Sequence, residues 1–299
     1  MDLGKSLPRR RCRVLWMVIA CGVFTIPRAM TRSELAIHTF TTKPWSIEEC
    51  IENYCRHGFG GISIWRETVA GLDLQRIGKQ LRDSGLKPIS YVRGGFFTGQ
   101  TSETRAAAIE DNRAVLHEAE MLGLPMVVLV CGATVGQSPR ENLAQIENGI
   151  RSILPVAENC GIRLAIEPLH PMYAGDRCAV ASMADANDLC EAIAHPLLGV
   201  AADVYHIWWD SRLEQQLERC ASAGRLFAFH VCDFKPDFDH PLLDRELPGE
   251  GIGACAAVSK LVRAAGFSGL AEVEIFSRMY WSENQHHFLE RIAKALEPI

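Results

Sequence analysis

Residues 163–203 begin with Arg163-Leu164-Ala165-Ile166-Glu167, pass through an amphipathic stretch from Met183 to Ile193, and end on Leu198-Gly199-Val200-Ala201-Ala202-Asp203. The two outer segments are apolar almost without interruption, which is the pattern of parallel strands covered on both faces; a half-exposed antiparallel strand would alternate. Strand, helix and strand in this order form one βαβ unit.

The same alternation continues outward in both directions. Upstream, Leu35-Ala36-Ile37-His38 reads as a strand, followed by a helix opened by Ser46 with Glu49 three residues on, a capping box. Gly61 to Trp65 precedes a helix near Asp73 to Ser84, and Pro88 to Val92 precedes one from Glu103 to Leu122. Met126 to Cys131 is followed by a helix over Ser138 to Cys160. Downstream, a helix over Leu213 to Cys220 leads to the strand Leu226 to Val231 and a helix over Ala254 to Ala265. Gly269 to Ile275 is the last strand, and a helix from Glu283 to Leu296 closes the chain. Eight strand–helix units of this kind predict a single α/β domain over residues 30–299, a parallel (β/α)₈ barrel rather than an open doubly wound sheet.

Composition agrees with one large domain. The chain has 299 residues, 48% of them hydrophobic and 22% charged, with a formal net charge of −5. Nucleic-acid binding wants a basic face, and this balance offers none. The eleven cysteines are scattered, odd in number and never spaced CxxC, so they read as free thiols of a cytoplasmic protein. Residues 1–29 stand apart: Arg9, Arg10, Arg11 and Arg13 precede the apolar run Val14 to Cys21, which looks like a signal peptide. The alternative is a start placed too far upstream, with Met30 just before the first strand; the thiol-rich body favours that one. The run is too short to span a membrane.

In (β/α)₈ barrels chemistry sits at the C-terminal ends of the strands. Four successive strands here end on a metal-ligating type: Glu167, Asp203, His230 and Glu274. A charge after an apolar run is unfavourable unless it is paired or coordinated. Three carboxylates and an imidazole suit one divalent ion, Mn²⁺, Co²⁺, Mg²⁺ or Zn²⁺. His206 and His170, each three residues past a ligand, are candidates for contact with a substrate. Arg245, in the loop after the seventh strand, is a candidate to hold an acidic strand end or a substrate oxygen. Glu272 shares the face of Glu274 one layer deeper and is a supporting partner, or the ligand itself if the register shifts. Gly249-Glu250-Gly251-Ile252-Gly253-Ala254 fits the G-x-G-x-x-A pattern of dinucleotide binding, but Leu243 to Glu246 before it is a loop, so a nicotinamide cofactor is not expected.

Five ordered motifs carry a family resemblance: Ile166-Glu167-Pro168-Leu169-His170, Ala202-Asp203-Val204-Tyr205-His206, Phe229-His230-Val231-Cys232-Asp233, Asp244-Arg245 with Pro248-Gly249-Glu250-Gly251, and Glu272-Val273-Glu274-Ile275-Phe276. Together they resemble the xylose-isomerase-like TIM barrels of the sugar-phosphate isomerase/epimerase group, over residues 33–296. Within that group the stretch from Phe229 to Trp281 is most similar to the 2-keto-myo-inositol isomerases. The resemblance implies Glu167, Asp203, His230 and Glu274 as metal ligands, Glu167 and Glu274 also as the acid–base pair, and His206 as a substrate contact. The pair Trp208-Trp209 departs from the group's pattern. The chemistry expected is isomerisation or epimerisation of a keto-sugar or keto-inositol through an enediolate, the metal acidifying the carbon-bound proton and a glutamate removing it. Two alternatives stand beside it, a metal-dependent lyase subunit cleaving C-glycosides of 3-keto sugars and a non-catalytic sugar-binding barrel. The partner expected is a small sugar or cyclitol, with neither nucleic acid nor membrane, and the chain is compatible with a homo-oligomer.

Overall fold

The computed structural model describes residues 30–252 and 254–299. The segment 1–29, with its two readings, and Gly253 lie outside the described residues. Eight parallel strands close into a barrel in chain order. The first half runs β1 (Leu35–His38), α1 (Ile47–Arg56), β2 (Gly61–Trp65), α2 (Leu74–Ser84), β3 (Lys87–Gly95), α3 (Ser102–Leu122), β4 (Met126–Val130) and α4 (Pro139–Cys160). The second half runs β5 (Arg163–Ile166), α5 (Met183–Ile193), β6 (Leu198–Asp203), α6 (Val204–Ile207), α7 (Leu213–Ser222), β7 (Leu226–Val231), α8 (Ala254–Ala264), β8 (Ala271–Val273), α9 (Arg278–Trp281) and α10 (Gln285–Leu296). The short α6 and α9 follow β6 and β8 at the C-terminal end of the strands and were not expected.

Local sequence explains where the helices begin and end. Ser46 and Ser138 each cap a helix reciprocally with a glutamate three residues on, and Pro139 occupies the first turn of α4, where its missing N–H is harmless. Two apolar clusters form. The larger fills the space between the strands and the helices. The smaller lies inside the barrel, where Val92, Met126, Val128, Ala165, Ala201 and Ala228 meet below Trp65 and Phe276.

Side chains two apart on a strand share a face. Ala165, Ala201 and Ala228 therefore stand directly beneath Glu167, Asp203 and His230, a layer of small residues that leaves room above it. The nine cysteines of the described residues are all unpaired, seven of them buried. No helix of the described residues is long and apolar enough to cross a membrane.

Candidate metal centre and active site

Glu167, Asp203, His230 and Glu274 come together at the C-terminal end of the barrel, with one ligand atom of each lying within 4.8 Å of the others. All four are buried. His230 Nδ1 lies 2.8 Å from Glu167 Oε1, yet neither atom has a hydrogen-bond partner. A ring nitrogen and a carboxylate oxygen held this close without a hydrogen bond between them suit a common third centre, so this donor set, once the imidazole gives up its proton, fits a divalent cation.

Arg245 is buried among these carboxylates. Its Nη1 donates to Asp203 Oδ2 at 3.0 Å and to Glu274 Oε2 at 2.7 Å. The guanidinium lies between the rings of Tyr205 and Phe276, 4.5 and 4.8 Å from their centroids. Of the two roles expected for this arginine, the structure displays the hold on acidic strand ends.

His206 is buried at the same level. Its Nε2 lies 3.6 Å from Asp203 Oδ2, and its Nδ1 accepts from the backbone N–H of His170 at 3.2 Å. His170 itself turns outward: its ring stacks near Trp208 and Phe234, and its Nδ1 accepts from the Met172 N–H.

Burial and mutual repulsion set the protonation of the cluster. Burial pushes the Asp203 carboxyl up to about 7, with Arg245 pulling the other way. Burial pulls the His230 imidazolium down, but the carboxylates of Glu272, Glu167 and Glu274 outweigh it and raise the group to about 10. At Glu274 burial is outweighed by Arg245, His38 and His230, which hold the carboxyl at about 2. His206 is driven well below its ordinary range by burial and then by Arg245, so it is neutral and free to exchange hydrogen bonds.

One layer deeper, Glu272 Oε2 accepts from the Ser63 and Ser90 hydroxyls, both at 2.6 Å, and lies 3.4 Å from His38 Nε2 and 3.8 Å from His230 Nε2. His38 in turn reaches Glu274 Oε1 at 3.2 Å through Nδ1, the same nitrogen that accepts from the Trp65 indole. Glu272 thus lies beside two imidazoles one layer down, and His38, His230 and Glu272 form a second group whose donor atoms lie within 4.8 Å of one another.

Above the ligands is a cavity of about 30 Å³, walled by Trp65, Arg93, Tyr173, Arg177, Leu242 and Phe276. That volume holds roughly one water molecule. The long loop between β7 and α8 brings Leu242 over it, and the Pro241 carbonyl accepts from the hydroxyls of Tyr173 at 2.6 Å and Tyr205 at 2.5 Å. In the same loop the glycine-rich run wraps around the chain's own Asp233, whose carboxylate accepts from the N–H groups of Phe234 and Gly249, each at 2.8 Å. A Cβ at Gly251 would stand 2.7 Å from that carboxyl group, so only glycine fits there.

Trp65, Arg93, Tyr173 and Arg177 escaped the sequence reading. Arg93 carries the signal that found the ligands, a charge after an apolar run, but beyond the point where the third strand was read to stop.

The sequence pattern of the xylose isomerase-like TIM barrel family matches residues 51–295. A protein of Sinorhizobium meliloti 1021 of known crystal structure is 36% identical, with a TM-score of 0.84 over 88% of this chain and 96% of that one. The crystal structure of IOLI protein with a binding zinc atom is 20% identical, with a TM-score of 0.77 over 89% of this chain and 96% of that one. The inosose isomerase of Bacillus licheniformis is 25% identical over 201 residues, which are 66% of this chain and 70% of that protein. With this match spanning β2 to α10 of a closed eight-stranded barrel, the chain belongs to the xylose isomerase-like TIM barrel family.

Proposed function

We propose that the chain is a divalent-metal-dependent isomerase or epimerase of a keto-sugar or keto-inositol. The observation that carries this reading is the convergence of Glu167, Asp203, His230 and Glu274 from four successive strands onto one buried point. The relative named inosose isomerase and the similar barrel solved with a zinc atom support it.

A divalent ion held by the four would polarise the carbonyl and neighbouring hydroxyl of an α-hydroxy ketone and acidify the intervening C–H. Glu167 and Glu274 act as the acid–base pair, one removing the carbon-bound proton and the other returning a proton to the resulting enediolate. Return at the adjacent carbon isomerises; return at the same carbon epimerises. Arg245 fixes the rotamer of Glu274 through a buried charge-assisted bond, which restricts that carboxylate to one approach. His206, neutral and partly facing the cavity, positions a substrate hydroxyl. Trp65 and Phe276 supply an apolar wall beside the cavity, toward which the carbon face of a substrate would turn once the Leu242 loop makes room.

The test is solvent-deuterium exchange at the carbon beside the keto group of an inosose, followed by mass spectrometry. Conversion and exchange are both expected in the metal-loaded protein and both fall at least about 10²-fold in Glu274→Gln, the loss typical of a removed general base. Metal content is measured in the same samples, so that loss of the base and loss of the ion are told apart. A wild-type protein that holds metal and inosose yet never exchanges that hydrogen refutes the reading.

A further inference from the structure

β3 carries one residue more than its neighbour along their ladder. Val92 pairs with Val128 and Gly94 with Leu129, so Arg93 is bulged out of register. A bulge re-aims a side chain, and Arg93 lines the cavity above Glu167 and Glu274. The following Gly95 has φ 108°, and a Cβ there would stand 2.0 Å from the Val130 carbonyl oxygen, so the glycine is what lets the bulged strand rejoin its partner. The guanidinium of Arg93 stacks over Phe96, 4.2 Å from the ring centroid, which holds the charge in place without neutralising it.

Among the described residues Arg93 forms no ion pair and donates no side-chain hydrogen bond. Glu67, Glu167 and Asp111 attract it only from beyond contact, and Arg177 repels it. Arg177 reaches the same cavity from the other side, on the loop after β5, which a bridge between Gly132 and Cys178 pins to the barrel. Its guanidinium lies 5.9 Å from the Tyr173 ring centroid, and it too has no ion pair among the described residues. Three guanidinium groups therefore line one cavity. Arg245 is matched by Asp203 and Glu274; the other two are unmatched. A half-buried cation without a counter-ion is unfavourable, and a pair of them facing one small volume is a receptor for an anion, because planar guanidinium groups bind carboxylate or phosphate oxygens bidentately.

We propose that Arg93 and Arg177 form an anion subsite at the mouth of the barrel, so that the substrate is an α-hydroxy ketone carrying a carboxylate or a phosphate on the side facing β3 and the loop after β5. The inference rests on the isomerase reading for the ketone end of the molecule. It adds polarity to that end's orientation: the two arginines hold the anion at the mouth, which leaves the ketone end to face Glu167 and Glu274.

The experiment uses three α-hydroxy ketones of similar reach: dihydroxyacetone, which is neutral, hydroxypyruvate, which carries a carboxylate, and dihydroxyacetone phosphate. Their affinities for the metal-loaded protein are measured by calorimetry, at low and at high salt. At least one anionic probe is expected to bind about tenfold or more tighter than dihydroxyacetone, with the gap narrowing in salt; which one wins tells carboxylate from phosphate. Arg93→Gln and Arg177→Gln are expected to erase most of that gap while leaving dihydroxyacetone affinity unchanged. Equal affinity for all three probes in the wild type overturns the proposal without any variant having to fold, and so does a gap that survives in the double variant. An anion preference that vanishes in the variants, in a protein that nonetheless exchanges no carbon-bound hydrogen, supports the subsite and strikes only the isomerase reading.

Discussion

Replacing Arg245 with methionine keeps most of the length of the side chain and removes its charge. In the wild type the guanidinium is 3% exposed and touches two carboxylates, Asp203 and Glu274, at 3.0 and 2.7 Å. Taking one partner out of a buried ion pair leaves an uncompensated charge and typically costs about 3–5 kcal/mol. For a domain of this size each kcal/mol lowers Tm by about 2–4 °C, so the metal-free variant should melt roughly 6–20 °C below the metal-free wild type. A divalent ion supplies positive charge to the same carboxylates, so the metal-loaded variant should lose less.

The deficit also depends on pH. Asp203 titrates at about 7 even with Arg245 present, above its unfolded value. A carboxyl group with a raised folded pKa takes up a proton as pH falls, so the penalty of Arg245→Met should shrink from pH 8 toward pH 5. Arg219→Met is the control, since Arg219 pairs with Asp188 and Glu191 at 2.8 and 2.6 Å on a surface where its side chain is 32% exposed, and such pairs are worth under about 1 kcal/mol. The assay is differential scanning fluorimetry with and without metal. Equal losses for Arg245→Met and Arg219→Met, or a loss at Arg245 that metal leaves untouched, would refute the electrostatic account of the site.

Four further outcomes follow from the geometry. The purified protein should carry about one divalent ion per chain, and His230→Ala and Asp203→Asn should lose it while remaining folded by circular dichroism. Because His230 titrates at about 10 in the metal-free site, ion binding near pH 7.5 must release its proton, so the calorimetric heat should change with the ionisation enthalpy of the buffer; a buffer-independent heat contradicts this. Glu272→Gln removes the negative charge beside His38 and His230 and should weaken metal binding about 10–100-fold, and an unchanged affinity would reduce Glu272 to a structural role. Tyr173→Phe with Tyr205→Phe removes both hydrogen bonds to the Pro241 carbonyl, each worth roughly 1 kcal/mol, and should speed amide exchange at Leu242 and Leu243; unaltered protection would show that other contacts hold the loop.

The ligand layer was legible because two local patterns coincide there. Each of Glu167, Asp203 and His230 ends a short apolar run and stands two residues beyond an alanine, so strand periodicity places these three on the inner face at one level, while on β8 it leaves both Glu272 and Glu274 on that face. Arg93 was not legible because its orientation is a property of a pair of strands. The sequence Ser90-Tyr91-Val92-Arg93-Gly94-Gly95 shows no bulge, and only pairing with β4 reveals the extra residue. Tyr173 and Arg177 were hidden for a similar reason: their loop returns to the mouth through the Gly132–Cys178 bridge, a contact between segments far apart in the chain. The glycine-rich run was set aside as a dinucleotide motif from its flanks, but its partner within the chain, Asp233, which lies upstream in the same loop, went unread.

The charges of the site cohere as a single arrangement once the layers are superimposed. Glu167, Asp203, Glu272 and Glu274 are four buried carboxylates, and among the described residues Arg245 is the guanidinium that pairs with any of them. Such a cluster is unfavourable by itself, and the chain responds by taking up protons: His230 is held protonated and Asp203 is brought near neutrality. A divalent ion would displace these protons and balance the same charge with a fixed cation, leaving Glu272 below as the counter-charge to the imidazoles. Inward charge balance then depends on the ion and Arg245, and it leaves Arg93 and Arg177 without an ion pair among the described residues, which is why an anion from solution is the component that completes the mouth of the barrel.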